Sequence, residues 1–79
     1  MTTTVRFDNK SRTFDFFGGN SRYTTKNPYW INLNLTDTYP KLIGWLMHLS
    51  EKAWFTPPIM RAFVTEWSRV TGLAVDLDA

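Results

Sequence analysis

His48 and Glu51 stand three residues apart, a spacing that puts both on one side of a helix and within reach of each other. An imidazole beside a carboxylate is the beginning of acid–base chemistry, but hydrolysis also needs a nucleophile and oxyanion donors converging in one cleft. Ser50 falls on the opposite side of the same helix, so that set does not assemble. His48 is the single histidine and cysteine is absent, which removes disulfides, zinc ribbons and thiol chemistry. Asp8 with Asp15, and Asp76 with Asp78, are further carboxylate pairs. Glycoside hydrolysis needs a cleft between its two carboxylates, and the Asp-x-Asp tail lacks the loop and third ligand of a Mg²⁺ or Ca²⁺ site. Gly18-Gly19-Asn20 has neither the Lys-Ser/Thr of a phosphate-binding loop nor the spacing of a dinucleotide fingerprint. It reads as a turn at the end of a hairpin. The expectation is a protein that is not an enzyme and carries no cofactor or metal.

A second pattern points to recognition. The N-terminal half interleaves cations with rings: Arg12, Phe14, Phe16, Phe17, Arg22, Tyr23, Lys26, Tyr29 and Trp30. Sheets that bind nucleic acid use such mixtures, rings stacking on bases and cations holding phosphates. Phe14 and Phe16 are needed for the core, which leaves Phe17, Tyr23 and Trp30 as candidate platforms. Surplus aromatic and Met side chains at a surface also serve as anchors for protein partners. Trp30, on the polar face of its strand, is the main anomaly, with Phe17 beside it and Trp54-Phe55 near Met47 at a helix corner. The candidate partner-binding set is Arg12, Phe17, Arg22, Tyr23, Lys26, Trp30 and Asn32.

Seventy-nine residues suffice for one domain, spanning 1–79. A domain this size needs a rich core, and 43% apolar residues with six Phe, four Trp and three Tyr supply one. The net charge is only +2. Residues 1–28 hold five basic groups (Arg6, Lys10, Arg12, Arg22, Lys26) against Asp8 and Asp15, so the positive charge is mildly concentrated there. No apolar run approaches the ~20 residues of a membrane span, and MTTTVRFDNK lacks a signal peptide's apolar segment. A cytoplasmic protein is expected.

The elements that must position these residues follow from periodicity. Thr2–Asp8 and Arg12–Phe17 alternate apolar and polar as half-buried strands do, joined by Asp8-Asn9-Lys10-Ser11 turn chemistry. Arg22–Lys26 reads either as a short edge strand or as loop. Tyr29–Leu35 is the best strand, with Tyr29, Ile31, Leu33 and Leu35 on the core face and Trp30, Asn32 and Asn34 opposite. Thr36-Asp37-Thr38 supplies N-cap oxygens for a helix over Pro40–Trp54, ending near Ala53, around which the fold is expected to be organised. Its apolar residues cover roughly 200°, far more than a surface helix needs, and so predict two packing partners. Pro57–Thr71 is a second helix with Thr56 at its N-cap and Gly72 just past its end. Residues 73–79 form a tail that docks as a short strand or frays. The fold class is α+β: an antiparallel β-meander of three or four strands over 1–35, then two antiparallel helices over 36–72 packed on one face.

From Tyr29 to Val64 the chain resembles a widespread class of short, uncharacterised bacterial and phage proteins. These share a strand like Tyr29-Trp30-Ile31-x-Leu33 and a helix with the spacing Leu42-x-x-Trp45-(x)6-Lys52-x-Trp54. The size, the lack of catalytic groups and the α+β plan also resemble those of phage-encoded anti-CRISPR proteins. That likeness implies a small inhibitor, active in the host cytosol, that occupies a binding surface of a host nuclease or CRISPR-type effector complex. Such inhibitors often mimic DNA with acidic surfaces, and a chain at +2 departs from that. The function expected is therefore a protein-binding module, monomeric or a weak homodimer, without membrane contact. The alternative is a small nucleic-acid binder using the same sheet face.

Overall fold

Alternation in the first third of the chain builds a three-stranded antiparallel sheet, in the order β1 (Thr4–Asp8), β2 (Thr13–Phe17), β3 (Tyr29–Asn32). The structure, a computed structural model, describes residues 3–19 and 21–77. Asp8 and Lys10 set the first turn: the Asp8 carboxylate accepts the Lys10 N–H at 2.9 Å, and the Arg12 N–H donates to the Asp8 carbonyl at 2.8 Å. This pins the register at Phe7 opposite Phe14 and Val5 opposite Phe16, so Phe14 and Phe16 of β2 point at the core. Residues 18–28 connect β2 to β3. The Arg22–Lys26 stretch lies in that connection and is loop, closed by the Gly18 N–H on the Tyr23 carbonyl at 2.9 Å. Gly18, at φ 80°, takes a backbone conformation that other residues adopt at a cost.

β3 ends three residues before the sequence pattern does. The Asn32 side chain accepts the Asn34 N–H at 2.9 Å and caps a single 3-10 turn, Leu33–Leu35. A local side-chain bond of this kind competes with the strand ladder. Leu35, expected on the core face, is consequently turned out and half exposed.

Two helices follow, α1 (Tyr39–Leu49) and α2 (Pro57–Thr71). Thr38 caps α1 by accepting the Lys41 N–H, and Pro40 sits in the first turn where its missing donor costs nothing. α1 stops at Leu49 instead of continuing to Ala53. The Ser50 hydroxyl bonds back to the Met47 carbonyl at 2.6 Å, and residues 50–55 turn so that Trp54 and Phe55 reach the core. Trp54 packs against Phe16, Tyr23 and Tyr29, and Phe55 is buried. That corner is therefore core and not the surface patch its sequence suggested. α2 runs as its pattern predicts, and Gly72 (φ 76°) closes it by donating to the Ser68 carbonyl.

α2, not α1, is the helix the molecule is built around. Phe63 and Trp67 are fully buried, Phe63 rests its ring on Phe14 (5.4 Å) and Phe16 (5.1 Å), and α2 lies against β1. Trp67 donates its indole N–H to the carbonyl of buried Thr36. α1 contributes Leu42 and Leu49 to the same core and packs Trp45 and Leu46 at its margin. Its expected second partner is missing among the described residues: Ile43 and Met47, at i and i+4, are 56% and 69% exposed. The tail forms no strand over 73–77. It docks beside the helices, with the Ser68 hydroxyl on the Leu73 carbonyl, the Tyr39 hydroxyl on that of Ala74 and the Arg61 guanidinium on that of Leu77. Asp78 lies outside the described residues. Among the described residues no helix is long and apolar enough to cross a membrane.

Candidate partner-binding surface on the sheet

The face of the sheet turned away from the helices carries Thr4, Arg6 and Asp8 from β1, Thr13, Asp15 and Phe17 from β2, and Trp30 and Asn32 from β3. Pairing lines them up in rows. Arg6 is opposite Asp15 and Asp15 opposite Trp30; Asp8 is opposite Thr13 and Thr13 opposite Asn32. Trp30 is 60% exposed. Its indole borders two cavities of about 420 Å³ each. Arg6, Asp8, Asp15 and Asn32 line the first with it, and Arg22, Tyr23 and Asn27 the second. Lys26 and Pro28, from the 18–28 connection, reach both.

The electrostatics of the first cavity are mixed. Asp15 is 95% buried by its neighbours, being 5% exposed, and its Oδ1 accepts the Thr13 hydroxyl at 2.7 Å, in a chain that continues to Ser11 at 2.7 Å. Asp8 is held below its ordinary pKa of 3.8, first by the Lys10 backbone N–H and with smaller help from Ser11 and Arg6, against a burial effect that raises it. The Arg6 guanidinium lies over the Phe17 ring at 5.1 Å, one row away from Asp15. Among the described residues no cation lies within ion-pair distance of either carboxylate.

Of the residues expected at a partner surface, Phe17, Lys26, Trp30 and Asn32 share this face or its rim, and Arg22 stands beyond Trp30. Phe17 is half-buried beneath Arg6 instead of free. Tyr23 packs its ring edge-on against Tyr29 (5.4 Å) and Trp54 (5.9 Å), with Arg22 over it at 5.5 Å, and also lines the second cavity beside Trp30. Arg12, in the left-handed region at φ 61°, sits over the core-face ring of Phe7 at 5.8 Å and lines neither cavity. Sequence reasoning passed over Arg6, Asp8 and Asp15 as members of the site. The strand alternation did put all three on the polar face, but only the register brings Asp15 between Arg6 and Trp30.

His48 and Glu51 are both exposed, and the imidazole meets the edge of Trp45 at 5.4 Å. Among the described residues no group of three His, Asp or Glu is close enough to hold a metal ion. A separate groove of about 590 Å³ runs between α1, the start of α2 and the tail, walled by Ile43, Leu46, Pro57, Met60, Val75 and Leu77. Comparison with protein-family models, with curated proteins and with solved structures finds no match for this chain.

Proposed function

We propose that this chain is a non-catalytic protein-binding module whose partner surface is the sheet face around Trp30. One observation carries the reading: a tryptophan 60% exposed on the face opposite the core, bordering a cavity on each side. The core needs nothing from it, since Phe14, Phe16, Ile31, Phe63 and Trp67 already close it. A large ring left in water and flanked by polar groups is the usual anchor of a protein interface. The finer form of the reading is an inhibitor, encoded by a phage or mobile element, that covers a working surface of a host-defence complex of CRISPR type. Likeness of size and plan supports it.

The second reading, nucleic-acid binding, is favoured by Arg6, Lys26 and Arg22 around the indole and opposed by Asp8 and Asp15 in the same cavity. Site-specific photo-crosslinking from position 26, which lines both cavities beside Trp30, in the producing cell, with Thr65 as control position, separates the two. A protein adduct formed from position 26 and not from position 65 is the expected result. Recovery of RNA or DNA instead, with affinity falling steeply as salt rises, would establish the alternative. Adducts no stronger than the control would remove the sheet face as a binding surface.

A further inference from the structure

We propose that the cavity between Asp15 and Trp30 is an arginine-recognition site, taking the guanidinium of one arginine side chain from the protein partner. The proposal rests on the reading of this face as the partner surface and adds the chemistry of its contact. Asp15 is the starting point. The residue is 5% exposed, on the central strand, and its single side-chain hydrogen bond comes from Thr13 to Oδ1. Among the described residues no buried side-chain oxygen is left without a partner. The Oδ2 atom of Asp15 is therefore not sealed in, and the cavity that Asp15 lines is where it opens. A carboxylate so nearly buried, with one bond and no cation, gains strongly from a charged donor brought to it.

Trp30 decides which donor. It is the cross-strand neighbour of Asp15, and such neighbours hold their Cβ atoms about 4.5–5.5 Å apart on one face. A planar cation laid on the indole thus presents its N–H edge to the carboxylate. Guanidinium is planar, stacks on aromatic faces and bonds carboxylates through paired N–H groups; an ammonium is a compact point charge without that fork. Asp8, kept in its charged form, lies on the same wall and adds to the negative potential. The chain's own Arg6 does not fill the position, because its guanidinium is laid over Phe17. Lys26 stands at the rim outside ion-pair distance of Asp15.

The test uses the whole chain and a blocked single residue, N-acetyl-arginine methylamide, followed by ¹H–¹⁵N spectra. Saturable shifts at millimolar ligand are expected at the Trp30 indole N–H and the amides of Asp15 and Asn32. Blocked lysine should bind at least about tenfold more weakly, and Asp15→Asn, which keeps the Thr13 bond, should weaken blocked arginine at least about tenfold. Trp30→Ala, at an exposed ring, should do the same and guards against a folding defect in the Asp15 variant. Equal binding of lysine, or arginine binding that survives both substitutions, overturns the proposal. So do shifts of the same resonances with a single-stranded oligonucleotide and none with arginine. If blocked arginine fails while the crosslink from position 26 still captures protein, the arginine assignment falls and the surface stands.

Discussion

Trp67 and Trp30 carry the same indole into opposite surroundings, and they make opposite expectations for stability. Trp67 is fully buried, donates to the Thr36 carbonyl and meets the Tyr39 ring at 5.5 Å. Replacing it by Ala removes the ring and orphans that carbonyl, a loss of about 3–5 kcal/mol. A chain this length holds roughly 4–12 kcal/mol in all, so the variant should be largely unfolded at moderate urea. Trp30→Ala should cost less than about 1 kcal/mol. Urea titration of the two variants checks the contrast, and a Trp30 loss as large as that of Trp67 would make Trp30 a core residue.

At the scale of elements, α1 is a helix with one packed face and one unpacked. Leu42 is 3% exposed while its neighbour Ile43 is 56% exposed. Leu42→Ala should therefore cost about 2–5 kcal/mol, whereas Ile43→Gln should change stability by no more than about 0.5 kcal/mol. Thermal unfolding of the pair measures this directly. If Ile43→Gln proved as costly as Leu42→Ala, the exposed stripe would have a packing partner within the folded chain. The Ser50 hydroxyl and the need to bring Trp54 down to Phe16 shorten α1 by a turn. Asn32 shortens β3 by a comparable local bond, its side chain accepting the Asn34 N–H.

The whole molecule is layered unevenly. β2 and α2 share the ring contacts at its centre, Phe14 and Phe16 against Phe63, and α1 is anchored mainly through Leu42 and Leu49. Elements with fewer buried contacts open at lower free energy than the global transition. Native-state hydrogen exchange should find the amides of Phe14, Phe16, Phe63 and Trp67 opening only with global unfolding. Those in the middle of α1 should exchange at least about tenfold faster. Equal protection of α1 and α2 would contradict the reading that α2 is the central helix.

The sequence by itself determined the α+β class, the hairpin with Phe14 and Phe16 inward, both helix starts and the Gly72 stop. Those features are local, set by period-2 and period-3.6 patterning and by caps within a few residues. It also marked Trp30 as a ring on the polar face. Tertiary structure alone decided that α2 and not α1 is the central helix, and that Trp54 and Tyr23 turn inward. It also decided that Arg12 folds back onto Phe7, and that Asp15 lies between Arg6 and Trp30. Each of these depends on which strands and rings meet across the fold. Such meetings are fixed by register and by competition for one core, which no short window of the chain contains.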